Sequence, residues 1–212
     1  MSFWIPLAIV AVAALLVAER VESRSGIAVA KLIAAACFIG FALACGALET
    51  PYGRVLLCGL VLCALGDALL LPPGQTIWFQ LGIGSFLLGH LAYAIAFYQL
   101  GLDGKVFIIA GAALTAFALA TLRWLRPHVP AELGVAVVAY IVVICGMVTT
   151  AVAASAAGAP SAIALGAVLF AASDLSVARD RFIQASWMNA GWGLPAYFAA
   201  QMILAATAGG ST

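Results

Sequence analysis

Eight apolar segments follow one another along the chain, separated by short connections that carry charges, Pro or Gly. A helix needs about 17–25 predominantly apolar residues to cross a bilayer. The pattern predicts helices near residues 3–18, 27–48, 52–71, 77–100, 104–123, 131–156, 160–178 and 189–208. These runs lack the apolar–polar alternation of membrane barrel strands, and helices satisfy their backbone polar groups internally in lipid. We therefore predict an all-α integral membrane protein with eight transmembrane helices.

The connections are too short to hold a separate folded unit, so we expect one membrane domain over residues 1–212. The first apolar run lacks a basic n-region and a clear cleavage site, so we interpret it as a retained helix rather than a signal peptide.

A faint internal repeat relates the third segment to the seventh. Residues 59–67 and 166–174 are identical at five of nine positions, and the offset of 107 residues is about half the chain. Four helices per half would make the halves, 1–103 and 104–212, parallel repeats. Their interface would bring the aspartates at the ends of the two stretches together. Chance similarity between two apolar helices is the alternative hypothesis.

The basic residues are distributed unequally between the two sides of this topology. The odd-numbered connections and their flanks carry seven of the nine, and the opposite side carries Arg54 and Lys105. The excess of Lys and Arg marks the cytoplasmic side. We therefore expect both termini to lie outside the cytoplasm, in a multi-pass protein of a bacterial inner membrane. The seven residues are Arg20, Arg24, Lys31, Arg123, Arg126, Arg179 and Arg181.

Composition supports the membrane prediction and excludes several functions. The chain is 66% hydrophobic and 8% charged, with a mean hydropathy of +1.19, which is far more apolar than soluble domains are. A net charge of +1 without a basic run argues against nucleic-acid binding. The five cysteines lie in apolar stretches without CxxC spacing, and there are only two histidines. We therefore predict no metal site and no cofactor.

Asp67 and Asp174 stand in almost uninterrupted apolar sequence. A carboxylate at membrane depth is costly, so it usually faces the protein interior and marks a functional site. Asp67 lies about 6 Å, and Asp174 about 7.5 Å, from the predicted cytoplasmic end of its helix, so the two share a depth. Two close carboxylates in a medium of low dielectric cannot both ionise, and such a pair contains an acid and a base. We predict that both are catalytic.

A few further polar side chains lie within the predicted spans. His90 and Tyr93 share one helix face at i and i+3, and Tyr197 and Gln201 share another at i and i+4. If these helix faces meet, their polar side chains and the two aspartates would together line one polar cavity. Structural alternatives exist for these residues. His90 and Gln201 would form hydrogen bonds between helices, Lys31 would snorkel to the headgroups, and the aspartates would be a neutral pair that only joins two helices. The predicted substrate-binding residues are Lys31, His90, Tyr93, Tyr140, Ser173, Tyr197 and Gln201.

Common hydrolase motifs are missing from the sequence. There is no GxSxG elbow and no HExxH metal motif. LeuGlyAsp at 65–67 is similar to the GlyXxxGlyAsp of intramembrane aspartyl proteases, but position 64 is Ala and no TyrAsp partner occurs.

At these positions the chain resembles the YhhN family, which includes the lysoplasmalogenases. Cys63 and Leu32 depart from the residues that are common in the family, Ser and Pro, and neither change removes a carboxylate. The resemblance rests on Lys31, GlyAspAlaLeuLeu (66–70), PheLeuLeuGlyHisLeuAlaTyr (86–93), Tyr140 with Met147, GlyAlaValLeuPheAlaAlaSerAsp (166–174) and TyrPheAlaAlaGln (197–201).

The resemblance implies hydrolysis of the vinyl ether bond of lysoplasmalogen to a fatty aldehyde and glycerophosphoethanolamine or glycerophosphocholine. The partners would then be a lysophospholipid substrate and membrane lipids, with no nucleic acid and no obligate protein partner. One aspartate would be the general acid while the other steadies the cation and directs water. Lys31 and the cytoplasmic arginines would hold the phosphate.

Three other functions stay open from the sequence. One is a hydrolase of another lysophospholipid, and a second is a proton-coupled transporter in which the aspartates load protons. The spans contain no clearly Gly/Pro-broken helix pair, which argues against the transporter. The third is a structural or lipid-binding protein without catalysis.

Overall fold

A computed structural model describes residues 3–72 and 76–209. Within these ranges all of the regular structure is helical, which confirms the all-α prediction. A short 3₁₀ turn, Ala131–Leu133, precedes the sixth helix. The α-helices are α1 (Trp4–Arg20), α2 (Arg24–Ala44), α3 (Pro51–Leu69), α4 (Thr76–Tyr98), α5 (Gly104–Leu125), α6 (Gly134–Ala156), α7 (Ser161–Phe182) and α8 (Trp187–Ala206).

Six of these helices, α2 to α7, are long and apolar enough to cross a membrane. The described chain therefore has the helical character of a multi-pass membrane protein. The other two helices are less apolar or shorter: α1 has 17 residues, and α8 carries Asn189, Pro195 and Gln201. The count of eight spans stays a prediction.

Capping side chains determine where several helices begin. The side chains of Ser23, Thr50, Asp103 and Ser186 each accept a hydrogen bond from a backbone N–H in the first turn of α2, α3, α5 and α8, respectively. Such caps satisfy donors that the helix itself leaves unpaired. They place the start of α2 at Arg24, three residues before the predicted span.

The predicted end of the seventh span at residue 178 is wrong, because α7 continues to Phe182. The charged run at 179–181 therefore belongs to the helix and not to a loop. Asp180 organises the turn that follows, since its Oδ1 accepts from the Ser186 N–H at 2.9 Å and from Asn189 Nδ2 at 3.0 Å. Because α7 includes residue 181, Arg181 lies on a face of this helix.

The helices pack in pairs that a four-helix repeat would produce. α3 packs on α4 as α7 packs on α8, α2 contacts α3 as α6 contacts α7, and α2 contacts α8 as α6 contacts α4. These matching contacts support the duplication hypothesis, which stays a prediction. α5 packs chiefly on α6, and α1 packs on α2 and α8.

Small residues allow α3 and α4 to approach closely. A Cβ atom at Gly59 would lie 2.5 Å from the Tyr93 ring, and one at Gly89 would lie 2.8 Å from Cys63 Sγ. Glycine is enriched at helix contacts in membranes for this reason. The close contact brings the polar residues of α4 to the helix that carries Asp67.

Candidate active site

Both aspartates lie where the central helices meet. Asp67 is on α3 and Asp174 on α7, and α2, α4, α6 and α8 supply the remaining side chains. The structure therefore brings residues from six helices and both halves of the chain into one region.

Asp67 is almost completely buried, at 3% exposure. Its Oδ2 accepts a hydrogen bond from Tyr197 Oη at 2.6 Å, and its Oδ1 lies 3.8 Å from Lys31 Nζ. Both carboxylate oxygens are thus engaged by protein groups. A buried charge usually requires such pairing, so Lys31 compensates Asp67.

Asp174 has different partners and is more accessible, with 17% of its side chain exposed. Its Oδ2 accepts a hydrogen bond from Tyr140 Oη at 2.8 Å and lies 3.5 Å from His90 Nε2. Its Oδ1 has no hydrogen-bond partner among the described residues. This oxygen therefore has capacity for a further hydrogen bond.

The His90 ring is oriented by its own helix. Nδ1 lies 2.6 Å from the backbone oxygen of Phe86, and since a carbonyl only accepts, Nδ1 carries the proton. Nε2, which faces Asp174, is buried and has no hydrogen-bond partner within the described chain. A neutral His90 can therefore accept a proton from Asp174, and a charged His90 can donate one.

Each aspartate contacts a residue from the other predicted half. His90 of α4 faces Asp174 of α7, and Tyr197 of α8, 107 residues after His90, contacts Asp67 of α3. The same offset separates the two aspartates. This correspondence is a second observation in support of the duplication.

An aromatic cluster joins the two carboxylate groups. The Phe170 ring centre lies 4.5 Å from that of His90 and 5.3 Å from that of Tyr197. Phe86 packs edge-on against both Phe170 and Tyr197. Since Phe170 is fully buried and His90 and Tyr197 are buried beside it, this cluster keeps water away from one partner of each aspartate.

Three predicted binding residues contact other protein groups. Tyr93 Oη donates to Gln201 Oε1 at 2.7 Å, and both side chains are fully buried. Ser173 Oγ donates to the backbone oxygen of Phe170 at 2.7 Å. Their roles in binding stay untested predictions, and these contacts fit the structural alternative of helix-to-helix hydrogen bonding.

A cavity of about 390 Å³ lies among α4, α5, α6 and α7. Its lining on α7 runs from Val168 to Phe182, which corresponds to about 21 Å along the helix axis. Asp174 and Tyr140 are in its wall, but Asp67 is not. Other predicted site residues are also absent from the lining, namely Lys31, His90, Tyr93, Ser173, Tyr197 and Gln201. Of the predicted site residues, Asp174 and Tyr140 thus line this cavity, and one polar cavity shared by all of them stays an untested prediction.

Most of the cavity wall is apolar, and its polar side chains are Thr121, Tyr140, Asp174 and Arg181. The Arg181 guanidinium carbon lies 4.0 Å above the centre of the Phe79 ring. Sequence reasoning did not identify Phe79. The sequence prediction placed Arg181 only among the cytoplasmic arginines. Its spacing of seven residues from Asp174 nevertheless places both side chains on one helix face.

Comparisons with known proteins show the family to which the chain belongs. Lysoplasmalogenases of Mycobacterium bovis and Mycobacterium tuberculosis are each 38% identical to the chain over 148 residues, which is 66% of this chain and 56% of each relative. The matched part thus spans just over half the length of these relatives. No solved structure gives a significant match. The YhhN family model matches residues 26–208, which is most of the chain, and the protein therefore belongs to the YhhN family.

Proposed function

We propose that the protein is a membrane hydrolase that cleaves the vinyl ether bond of lysoplasmalogen. The products are a fatty aldehyde and glycerophosphoethanolamine or glycerophosphocholine. The observation that carries the proposal is the carboxyl group of Asp174 in the wall of a long apolar cavity, beside Tyr140 and His90. The two mycobacterial relatives, named lysoplasmalogenase, indicate which reaction to test.

The cavity suits a single-chain lipid. Asp174 lies near the middle of the lining on α7, whereas the end farthest from Arg181 is formed by apolar residues that include Leu114, Val148 and Val168. Apolar burial favours an alkenyl chain at that end. The vinyl ether joins this chain to glycerol, so it falls at the depth of Asp174.

In the first chemical step, the carboxylic acid of Asp174 protonates the vinyl carbon that is not bonded to oxygen. The π electrons form the new C–H bond, and an oxocarbenium ion results on the neighbouring carbon. Asp174 is left as a carboxylate, and the Tyr140 hydroxyl stabilises it through the 2.8 Å hydrogen bond. General acid catalysis of this kind contributes about 10²–10⁴-fold.

In the second step, water adds to the oxocarbenium carbon and gives a proton to Asp174, which restores the acid. The resulting hemiacetal then collapses: its hydroxyl loses a proton, the C–O bond to glycerol breaks, and the glycerol oxygen takes up a proton. One water is consumed, and one aldehyde and one alcohol are formed. These two reaction steps require no cofactor.

Asp67 acts at a distance in this proposal. Its carboxylate pairs with Lys31 at 3.8 Å and, in this proposal, favours the developing cation across a region of low dielectric. It also holds Tyr197 by the 2.6 Å hydrogen bond. We thus assign the general acid to Asp174 and a positioning and electrostatic role to Asp67.

The proposal is tested by aldehyde release from alkenyl lysophosphoethanolamine with detergent-purified protein. The matched control is the alkyl ether analogue, which has no double bond to protonate and should release nothing. We expect aldehyde from the vinyl ether alone. Folded protein that releases no aldehyde, or that cleaves only acyl lysophospholipids, would overturn the proposal, and counterflow of a solute in liposomes would favour a transporter.

We also propose eight spans with both termini outside the cytoplasm of a bacterial inner membrane. The distribution of basic residues supports this orientation. Alkaline phosphatase, which is active only outside the cytoplasm, should be active when fused after Gly209 and inactive when fused after Arg126. The reverse pattern would contradict the proposed orientation.

A further inference from the structure

Arg181 is the cationic side chain in the cavity wall, and it lies at the end of the lining on α7. Its guanidinium is placed over the Phe79 ring at 4.0 Å, a geometry that fits a cation–π contact. Within the described chain, Arg181 makes no salt bridge with a carboxylate. Its N–H groups therefore have capacity for an anion.

The spacing between Arg181 and Asp174 follows from helix geometry. Seven residues correspond to about two turns and 10.5 Å along the axis, so both side chains lie on nearly the same face. Side chains on a helix lean toward its N-terminus, and Arg181 therefore leans toward Asp174. A glycerophosphate unit can lie along this length of the helix, between the guanidinium and the carboxyl group.

We infer that Arg181, oriented by Phe79, binds the phosphate diester of the lysophospholipid and so sets the vinyl ether against Asp174. This inference rests on the proposed function and names the group that selects its substrate class. A guanidinium stacked on a ring still presents an edge of N–H donors, which matches two phosphate oxygens.

Lys31 is less suited to this role than its charge suggests. It is paired with Asp67, and it is not in the cavity wall. Arg179 is also unsuitable, because five residues from Asp174 place it on a different face of α7. Arg179 therefore provides a matched control: an exposed arginine on the same helix turn that is outside the lining.

The test compares Arg181→Ala with Arg179→Ala on two substrates, alkenyl lysophosphoethanolamine and alkenylglycerol, which lacks the phosphate. We expect Arg181→Ala to raise KM for the phospholipid by about 10- to 100-fold, the effect of losing a charged hydrogen bond, with kcat little changed. Its kcat/KM for alkenylglycerol should equal that of the wild type. Arg179→Ala should behave as the wild type on both, and Phe79→Ala should raise KM for the phospholipid by about 3-fold or more.

Two kinetic results would overturn the inference: an unchanged KM for the phospholipid in Arg181→Ala, or equal losses on both substrates. Direct binding keeps the test independent of catalysis. Wild type should bind the uncleavable alkyl lysophosphocholine at least 10-fold more tightly than Arg181→Ala does, and equal affinities would refute the inference. Tight binding with no aldehyde release would contradict the proposed function and leave the phosphate site supported.

Discussion

Replacing Asp174 with asparagine removes the proposed proton donor while it keeps the size of the side chain. The amide oxygen of asparagine can still accept the hydrogen bond that Tyr140 donates at 2.8 Å. The amide cannot transfer a proton to a vinyl carbon. Asp174→Asn therefore separates the chemistry of this position from its packing.

The expected loss of activity is large and the expected loss of stability is small. General acid catalysis contributes about 10²–10⁴-fold, so we expect kcat to fall by that factor, which is about 3–5 kcal/mol of transition-state stabilisation. The change disturbs one polar contact between helices, and such contacts average about 0.6 kcal/mol in membrane proteins. The Tm should therefore fall by only a few degrees.

The assay is aldehyde release from alkenyl lysophosphoethanolamine at saturating substrate, with thermal unfolding measured on the same preparations. Binding of the alkyl analogue confirms that the mutant cavity is intact. Asp174→Asn that keeps more than about a tenth of the wild-type kcat would refute the assignment of the general acid, since even the low end of the expected range is 10²-fold.

Two predictions concern the partners of the aspartates. Asp67→Asn should lower the Tm more than Asp174→Asn does, because it leaves Lys31 unpaired at 14% exposure. Breaking a buried pair costs up to about 3–5 kcal/mol. Adding Lys31→Met should restore the Tm, and a double variant that stays as unstable as Asp67→Asn would argue against the ion pair as the cause. Tyr140→Phe should lower kcat by about 10-fold at unchanged KM, through loss of one hydrogen bond to a charged group. A rise in KM alone would instead indicate that Tyr140 binds substrate.

The sequence was sufficient to predict the helices because the bilayer imposes a simple rule on apolar length. The helix ends depended on local chemistry that hydropathy does not report. The run at 179–181 has the charge of a loop, yet α7 extends through it to Phe182, and Asp180 accepts a hydrogen bond from the Ser186 N–H in the turn into α8. Arg181 gained its position in the cavity wall through this extension.

The candidate site residues stand out in the sequence because polar groups are rare within the spans. Their arrangement could not be found there. Whether an aspartate faces a cavity depends on how neighbouring helices pack. The helix α5 contributes Thr121 to the cavity wall, yet none of the predicted site residues lies on it. Pairing with Lys31 and Tyr197 buries Asp67, while Asp174 remains accessible beside Tyr140.

The central claim is that the protein protonates a vinyl ether carbon and releases an aldehyde. Its most direct test is hydrolysis of alkenyl lysophosphoethanolamine in D₂O, followed by mass spectrometry of the fatty aldehyde. We expect one deuterium on the carbon next to the aldehyde carbon, formed at a rate that Asp174→Asn lowers by about 10²-fold or more. An aldehyde without deuterium, or no aldehyde from folded wild-type protein, would contradict the account.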